Sequence, residues 1–597
     1  MSEATIIGID LGTTNCAVAW ADRDGRGDFP IPQLTHPGMV EPRNTLPSFL
    51  YLPGPHELPA GSTELPWEKE PTRVVGWLAR EQGAKVPHRV VSSAKSWLSH
   101  EGVDRRASIL PWGSPDEVPR CSPVEASASF LRHIQEAWDS QNPDRPLAEQ
   151  EIVLTVPASF DVVARELTAE AARSVGLKNL TLLEEPQAAF YSWLDGVGED
   201  WRKQVSLGDR ILVCDIGGGT TDFSLILVTE EDGDLALERV AVGDHILSGG
   251  DNMDLTLAAT VQQRLKTQGT KLDSWQMQVL THGCRVGKEQ LLQEEADESW
   301  PVTIPGRGSS LIGGALRAEL KRSEVETVLV DGFFPICRPS EAAMRGRRTG
   351  LTELGLPFEA DPAVTRHLAR FLSAHRGAVP VQKDWTFLHP TAILFNGGVL
   401  KAPVLRRRLT QVLDSWLQAE GSPPIKTLEG ADLDLAVSRG ASRYGLVRRG
   451  QGIRIRGGTN RSYYIGVEVP RPAIPGLPPP IKAVCVAPFG MEEGTSADLP
   501  GREFGLVVGD PVEFRFLGST TRREDPVGET LEDWEEELEE LTSLGTTLQT
   551  EAQPGTIVPV RLQSRVTEVG TLELWCLERD GQGRWKLEFE VRENPEG

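Results

Sequence analysis

The chain has 597 residues, a formal net charge of −24 at pH 7 and 39% hydrophobic residues. This composition is that of a globular protein and excludes wholesale disorder, collagen and a coiled coil. The negative charge argues against nucleic acid or an anionic membrane surface as the main partner, because both would repel the protein. At about 150 residues per domain, the length predicts four compact units or two larger ones.

The cysteines and the N-terminus indicate a reducing compartment. The seven Cys are scattered along the chain, their number is odd, and no two of them form a CxxC motif. This pattern favours neither a disulfide framework nor a thiolate zinc site. The N-terminus reads MSEATIIGIDLGTTN and lacks a basic segment before a long apolar run, and no stretch approaches 18 uninterrupted apolar residues. We therefore expect a cytoplasmic protein without a secretion signal or a membrane span.

Two similar hairpins are predicted in the first half of the chain. Residues 5–10 form a short apolar strand, Gly12 stops it, and residues 16–20 resume it. About 205 residues later, residues 211–215 form a strand and residues 222–228 continue after a glycine turn. Two such hairpins in one chain suggest a duplicated architecture.

Strands alternate with helices around these hairpins, which predicts an α/β fold. Apolar spacing predicts helices over residues 123–138, 162–175, 253–265, 275–292, 362–373 and 403–416, with strands over 151–156 and 391–395.

The pattern changes after Val447. Residues 448–460 carry four Arg and four Gly without a counter-charge, and helical periodicity almost disappears beyond them. Residues 524–540 hold ten acids and no base, and we expect a solvated acidic loop or helix there, with a partner-binding tail as the alternative. Short strands are predicted over residues 464–469, 482–487, 503–508, 512–516, 556–562, 571–578 and 585–591.

The first hairpin turn has the residue types of a phosphate site. Asp10 ends a strand beside Gly12, Thr13 and Thr14, whose backbone N–H groups and hydroxyls can close on a phosphate. An Asp in this place can hold Mg²⁺ through water, because this ion keeps most of its hydration shell.

The second turn is more specific. Asp215 precedes three successive glycines at 217–219, followed by Thr220 and Asp222. Successive glycines cost chain entropy and indicate close approach of the backbone to a ligand. Two such loops, each with a carboxylate, predict a clamp for a polyphosphate and its metal.

Competing phosphate motifs are incomplete. Residues 283–289 read GCRVGKE, which is one residue short of a P-loop and lacks Ser or Thr after the Lys. The sequence contains no HExxH, no GxSxG and no series of kinase motifs. The paired hairpins are therefore the best nucleotide-site prediction.

These segments also carry a family resemblance. The motifs stand in the order and rough spacing of the seventy-kilodalton heat-shock (DnaK-type) chaperones of the actin-like ATPase superfamily, from about residue 5 to 447, and read IIGIDLGTTN, LTVPASFDVVAR, LLEEPQAAFYSW, ILVCDIGGGTTDFSL, LSGGDNMD, ILFNGGVL and LAVSRGASRYG. The resemblance implies a duplicated actin-like, ribonuclease H-like ATPase domain over 1–447, a linker over 448–462 and a β-rich polypeptide-binding domain over 463–597.

The resemblance also implies site residues. The catalytic set comprises Lys95, Glu185, Asp215 and Thr220, and the metal set, acting through water, comprises Asp10, Asp215 and Asp222. The nucleotide-binding set comprises Gly12, Thr13, Thr14, Gly217, Gly218, Gly219, Thr220, Gly249, Gly250, Lys288, Gly397, Gly398 and Asp434.

Three of the implied residues have ordinary interpretations as well. Pro157 and Arg165 match residues that pass the nucleotide state to the second domain, and Lys95 matches the lysine that positions the attacking water. From the sequence alone, Lys95 is more typical of a surface lysine, Pro157 of a strand end and Arg165 of a helix surface.

The chain departs from the family pattern on the adenosine side. Arg285 and Glu289 stand where Glu and Arg are usual, and Val399 and Lys401 where Ser and Arg are common. These departures predict altered base contacts beside an intact phosphate site. Whether an acid near the base pairs with Arg285 is open at this point.

The linker and the C-terminal end depart too. Ile453 and Ile455 alternate with Arg454 and Arg456, whereas the family usually has an acidic, leucine-rich segment. The chain leaves no room for the family's helical lid, so we expect a bound peptide to leave quickly.

The resulting hypothesis is a DnaK-like, ATP-dependent chaperone with slow, Mg²⁺-dependent hydrolysis and ATP/ADP and Mg²⁺ as cofactors. Its expected partners are unfolded or extended polypeptides, with J-domain and nucleotide-exchange co-chaperones. An ATP-binding regulator or exchange partner of another chaperone, with little hydrolysis, is the main alternative. A small-molecule kinase and a filament-forming actin relative are weaker ones.

Overall fold

The structure is a computed structural model with several sheets and helices. It describes residues 4–55, 57–231, 234–306, 315–343, 355–379, 385–430, 432–451, 453, 455–456, 458–459, 461–469, 480–492, 494–500, 503–507, 511–541, 544–547, 556–567, 571–579 and 583–589. The predicted Arg454 of the linker and the strand ends at residues 508 and 590–591 lie outside these residues.

The first 204 residues contain a six-stranded sheet with helices around it. Its elements and their neighbours are β1 Ile6–Leu11, β2 Asn15–Ala21, β3 Arg26–Asp28, β4 Ile31–His36, β5 Met39–Arg43, β6 Thr45–Pro47, β7 Leu50–Tyr51, β8 Val74–Val75, α1 Trp77–Gly83, β9 Val90–Val91, α2 Ala94–Leu98, α3 Pro123–Gln141, β10 Glu151–Val156, α4 Val162–Ser174, β11 Leu180–Glu184, α5 Glu185–Val197 and α6 Trp201–Gln204.

A second six-stranded sheet follows. Its elements and neighbours are β12 Arg210–Ile216, β13 Thr221–Glu231, β14 Asp234–Val242, α7 Gly250–Thr267, α8 Ser274–Leu291, β15 Ser299–Ile304, β16 Leu316–Lys321, α9 Arg322–Glu326, α10 Val364–Ala374, β17 Ala392–Asn396, α11 Pro403–Ala419, β18 Lys426–Thr427, α12 Ala436–Arg448 and β19 Ile455–Arg456. The predicted helices and strands of this region are confirmed, with ends that differ by a few residues.

The two sheets arrange their hairpins alike. The first has the order β11-β10-β1-β2-β3, and the second has the order β18-β17-β12-β13-β14-β19. In each sheet, the first hairpin strand pairs antiparallel with the second and parallel with a later strand, β10 or β17. This arrangement brings both glycine turns to the carboxyl ends of parallel strands, where ligands bind in α/β folds.

Helices α5 and α12 lie between the sheets. One buried cluster contains Ile6 of the first sheet, Ile211 of the second, and Tyr191 and Tyr444 of these helices. Two further clusters cover the outer faces, one with α3 and α4 and the other with α7, α8, α10 and α11.

Helix α12 approaches α5 so closely that a side chain does not fit between them. A Cβ atom built on Gly440 would lie 1.7 Å from the carbonyl oxygen of Ala188. The helix pair therefore depends on glycine at this position.

The C-terminal part is β-rich, as predicted. Its strands are β20 Ser462–Glu468, β21 Ile481–Ala487, β22 Ser496–Asp498, β23 Phe504–Val507, β24 Pro511–Phe514, β25 Phe516–Ser519, β26 Thr530–Leu531, β27 Glu539–Glu540, β28 Leu544–Thr547, β29 Ile557–Val566, β30 Leu572–Glu578 and β31 Arg584–Phe589. They form a five-stranded and a seven-stranded sheet. The single strand predicted over 512–516 is two strands, β24 and β25, in different sheets.

The acidic segment 524–540 is a loop over most of its length, as predicted, but it is anchored to the sheet. It forms β26 and β27 at the two edges of the five-stranded sheet, and Trp534 and Leu538 are buried against Tyr464 and Cys485. The Trp534 indole donates to the Ile481 carbonyl oxygen at 3.1 Å. Most acids of this segment are exposed, as expected of a solvated acidic loop, while the apolar residues between them hold it on the sheet.

The segment after α12 is also ordered where it is described. Ile455 and Arg456 pair in parallel with Leu237 and Glu238 of β14. All seven cysteines are buried free thiols. None of the helices in the described ranges combines the length and the apolar character needed to cross a lipid bilayer.

We predict that Gly440→Ala lowers the free energy of unfolding by about 3 kcal/mol, because its Cβ must displace backbone atoms of α5. Gly196→Ala is the matched control, since Gly196 also lies in a helix but the space that its Cβ would enter is open. It should be neutral or stabilise by about 0.5–1 kcal/mol. Denaturant unfolding followed by circular dichroism measures both, and equal effects would contradict the packing argument.

Candidate functional site

A cavity of about 440 Å³ lies where the two hairpin turns face each other. Fourteen of the predicted site residues line it, namely Asp10, Gly12, Thr13, Thr14, Glu185, Asp215, Gly217, Gly218, Thr220, Gly250, Lys288, Gly397, Gly398 and Asp434. The tertiary structure thus brings together segments that are up to about 420 residues apart in the chain.

The two loops touch each other directly. A Cβ on Gly218 would lie 1.8 Å from Thr14 Oγ1, and a Cβ on Gly219 would lie 2.4 Å from Ser96 Oγ. The sequence predicted that the glycines approach a ligand. The structure adds a second reason for them, because the loops could not meet if these residues carried side chains. Gly249 packs in the same way on Gly217 and Gly218.

Four carboxylates converge on the floor of the cavity. Asp215 and Asp222 are buried, and Asp10 and Glu185 are only partly exposed. Burial, with the neighbouring charge of Glu185, raises the pKa of Asp10 to about 7. The same causes raise the pKa of Asp215, and burial raises that of Asp222. This negative field favours a bound cation.

Lys95 lies among these carboxylates. Its side chain is 5% exposed and its ammonium donates to the Glu185 carboxylate. Burial by itself would lower the pKa of Lys95, but Glu185 and Asp10 outweigh it and the pKa is raised. The ammonium is therefore charged near neutral pH. The interpretation of Lys95 as a surface lysine was wrong, because the side chain extends from α2 to the buried carboxylates and is itself buried.

Each carboxylate is fixed by a neighbour. Asn396 donates its amide to Asp215 Oδ2 at 2.8 Å, Thr155 Oγ1 donates to Asp10 Oδ1 at 3.3 Å, and the Ser159 amide donates to Asp222 Oδ1 at 3.2 Å. These bonds hold the acids in place without a ligand.

The donor set fits a hydrated magnesium ion. Asp10, Asp215 and Asp222 offer carboxylate oxygens, which Mg²⁺ accepts through its bound water. Among the described residues, no three His, Cys, Asp or Glu side chains have the arrangement of a direct metal site. Two buried polar atoms beside the cavity, Ser96 Oγ and Asn396 Oδ1, lack a protein hydrogen-bond partner. Buried groups of this kind are normally satisfied, so Ser96 Oγ can donate to or accept from water or a ligand, and Asn396 Oδ1 can accept from them.

The end of the cavity that is predicted to bind the nucleoside has different polar groups. Lys288 Nζ lies 2.9 Å from the Gly250 carbonyl oxygen and 2.7 Å from Asp254 Oδ1. Lys401 pairs with Asp434, and both side chains are about half exposed. Gly397 has a positive φ of 88° directly after Asn396, which turns the chain beneath this end.

The two departing residues on α8, Arg285 and Glu289, line the cavity as well, but their charged groups pair with other protein side chains. Arg285 pairs with Asp251 and Asp254, each at 2.7 Å. Glu289 pairs with Arg80 of α1 at 2.8 Å. The question about an acid partner for Arg285 is thereby answered: two acids of α7 pair with it.

Pro157 and Arg165 lie outside the cavity. Pro157 ends β10, and Arg165 donates to the Ala158 and Phe160 carbonyl oxygens and to Glu184 Oε1 at 2.7 Å. The side chain of Arg165 is only 12% exposed, so the helix-surface interpretation was wrong. Glu184 also pairs with Arg239, whose other nitrogen donates to the Gly458 carbonyl oxygen at 2.6 Å.

Comparison with known proteins shows similarity to Hsp70 proteins over part of the chain. The family model described as Hsp70 protein matches residues 63–352. Chaperone protein HscA of Photorhabdus laumondii is 30% identical over 292 residues, or 47% of this chain and 41% of the relative. An HscA homolog of Ralstonia nicotianae is 28% identical over 432 residues, or 70% of this chain and 60% of the relative. The chain is similar to Hsp70 proteins over these segments.

The match does not extend over the whole of these Hsp70-family relatives. An HscA homolog of Cupriavidus necator is 31% identical over 304 residues, or 49% of this chain and 42% of the relative. The chain thus spans between 41% and 60% of the length of these curated relatives. The roles of the individual site residues stay predictions.

Sequence reasoning missed several residues of this candidate site. Asn396 precedes the predicted glycine pair in ILFNGGVL and follows a buried strand, which is a local signal that would have found it. Thr155, Ser159 and Asp251 had no such signal. Their roles depend on partners from distant segments.

We predict that Asp10→Asn stabilises the nucleotide-free protein more at pH 8 than at pH 5.5. The folded pKa of about 7 lies above the unfolded value of 3.8. The folded state therefore holds more protons between these values, and stability is lost as the pH rises. The advantage of Asn should grow by about 2 kcal/mol over this interval.

Denaturant unfolding without Mg²⁺ at both pH values measures this effect. Asp24→Asn, which removes an exposed carboxylate in the turn after β2, serves as the control. An advantage of Asp10→Asn that is the same at both pH values would refute the raised pKa.

Proposed function

We propose that this protein is an ATP-dependent chaperone of the Hsp70 type, in which ATP binding and hydrolysis are coupled to polypeptide binding. The main supporting observation is the pair of glycine turns that face each other across one cavity, with Asp10 and Asp215 on its floor and the Lys95–Glu185 pair beside them. The relatives are chaperone proteins by their printed names, which favours this function over an ATP-binding regulator.

The two turns would bind the phosphates of ATP or ADP. Thr13, Thr14 and Thr220 supply hydroxyl donors, and the glycine backbones allow close approach. Asp10, Asp215 and Asp222 would hold Mg²⁺ through water. When bound, this ion neutralises charge on the phosphate oxygens.

Hydrolysis would proceed by in-line attack of water on the γ-phosphate. Phosphoryl transfer depends on positioning and charge neutralisation more than on covalent help. The buried, charged Lys95 can orient the water and stabilise negative charge, and Glu185 fixes the ammonium. Slow turnover is expected, as in molecular switches that lack an arginine finger.

The adenosine end would rely on Lys288, the Gly397–Gly398 turn and Asp434. Because Asp434 pairs with Lys401 and Lys288 pairs with Asp254, the base would meet groups whose charges are already compensated. The site would therefore discriminate weakly between bases, and most of its affinity for a nucleotide would come from the triphosphate.

We further propose that residues 1–447 are a duplicated actin-like ATPase domain, that 448–462 are the linker and that 463–597 bind polypeptide. In both sheets a hairpin lies beside a later parallel strand in the same order, which supports the duplication. The change from α/β to β-rich structure after α12 supports the division.

The coupling would pass through the contacts between these parts. Arg165 and Arg239 share Glu184, and Arg239 reaches Gly458 of the linker. Val162 at the start of α4 is buried in the core cluster of the β-rich part. Clients would be unfolded or extended polypeptides, bound by main-chain hydrogen bonds and apolar pockets, with J-domain and nucleotide-exchange co-chaperones as partners.

We predict that Asp215→Asn lowers single-turnover ATP hydrolysis by about 100-fold or more, since it removes a buried charge that would hold the metal. Unchanged cooperative unfolding shows that the fold survives. Asp200→Asn, at an exposed carboxylate, should hydrolyse at the wild-type rate. Hydrolysis by Asp215→Asn at the wild-type rate would refute the site.

We predict that Arg165→Met reduces the effect of ATP on polypeptide release while hydrolysis stays within about threefold of wild type. Labelled, reduced and carboxymethylated α-lactalbumin, a permanently unfolded polypeptide, serves as the probe with the full chain. Dissociation is timed in ATP and in ADP. Arg173→Met is the control, because Arg173 lies on the same helix and its ion pair is exposed.

An equal ratio of the two release rates in wild type and Arg165→Met would contradict coupling through Arg165. No binding of the probe in either nucleotide would contradict the chaperone function itself.

A further inference from the structure

We propose that Arg285 is a positioning residue for hydrolysis. It holds Asp251 against Ser93 and thereby fixes the start of the short helix α2 that carries Lys95. This inference rests on the proposed ATPase function and assigns a role to a residue that departs from the family pattern.

The guanidinium of Arg285 is held by two carboxylates. Its Nη2 lies 2.7 Å from Asp251 Oδ1 and its Nε lies 2.7 Å from Asp254 Oδ2. It also lies over the ring of Phe49, 5.5 Å from the centroid. The side chain is only 12% exposed. Although Arg285 lines the cavity, its donors face two carboxylates, so nucleotide binding is not its main task.

Asp251 links Arg285 to the opposite wall of the cleft. Its second carboxylate oxygen, Oδ2, accepts a hydrogen bond from Ser93 Oγ. Asp251 lies at the start of α7 beside the second sheet, and Ser93 lies beside the first. One carboxylate thus joins the two halves of the site, and Arg285 fixes its orientation because a planar guanidinium sets the direction of its partners.

Ser93 has an unusual backbone conformation. Its φ of 54° is the one positive value at a non-glycine residue in the described part of the chain. The left-handed region costs free energy for a residue with a side chain and persists where surrounding contacts enforce it. The bond to Asp251 is such a contact.

Lys95 follows Ser93 by two residues. Ser93 is the residue before α2, and Lys95 is the second residue of that helix. If the Ser93–Asp251 bond is lost, Ser93 can relax and the first turn of α2 can shift. A shift of about 1 Å in a catalytic group can cost up to 100-fold in rate. The chain of contacts therefore runs from Arg285 through Asp251 and Ser93 to Lys95.

Charge explains why an arginine suits position 285. Asp251 and Asp254 both lie beside it, while Lys288 pairs with Asp254. Without Arg285, no cation in the structure described would pair with Asp251. The Asp251 carboxylate would then lie beside that of Asp254 without compensation. Repulsion would then turn Asp251 away from Ser93.

Single-turnover ATP hydrolysis tests the proposal on the full chain. Arg285→Gln, Asp251→Asn and Ser93→Ala should each lower the rate constant about tenfold or more, with the ATP concentration for half-maximal rate within about threefold of wild type. The double variant Arg285→Gln/Ser93→Ala should be no slower than the slower single variant, because both act on the same contact.

Arg80→Gln is the matched control. It removes another ion pair between the two walls of the cleft, Arg80–Glu289, but has no contact with Ser93. Its rate constant should stay within about twofold of wild type. If Arg285→Gln does not fold, Ser93→Ala carries the test, because alanine keeps the cost of the left-handed backbone but lacks the hydroxyl that bonds Asp251.

The outcomes are distinguishable. A wild-type rate in the Arg285 and Ser93 variants would overturn the proposal and leave the ATPase function intact. An unchanged rate constant with a much higher half-saturating ATP concentration would also overturn it, since Arg285 would then bind nucleotide. No hydrolysis by the wild-type chain would overturn both.

Discussion

Repulsion among buried carboxylates is the constraint on which the site depends. Asp10, Glu185, Asp215 and Asp222 lie close together with raised pKa values, and the Lys95 ammonium offsets only part of their charge. Such a cluster costs stability unless a cation neutralises it. The hydrogen bonds from Thr155, Ser159 and Asn396 hold the acids in place despite this cost. The free protein thus has a fixed, negatively charged floor that favours a bound cation.

The glycines serve the same purpose from the backbone side. Gly218 and Gly219 let the two turns meet, and Gly440 lets α12 lie on α5 between the sheets. Close packing without side chains fixes the distance between the hairpins. The carboxylates on the floor then keep their spacing because the scaffold around them is rigid.

Contacts among charged residues link the site to the rest of the chain in two directions. Arg285 and Asp251 connect the second sheet to the helix that carries Lys95. Glu184, with Arg165 and Arg239, connects the end of β11 to Gly458. Both networks are buried, so a change at the phosphate loops reaches neighbouring segments through fixed partners rather than through solvent.

The sequence by itself determined what is local. The hairpins, most helices, the β-rich end and the two glycine turns follow from short-range patterns, and these segments also carried the family resemblance. Only the tertiary structure decided the surroundings of Lys95, Arg165 and Arg285, the role of Ser93 and Asn396, and the packing of segment 524–540. The reason is physical: burial and pairing of a charge depend on residues far away in the chain, and one sequence contains no record of those contacts.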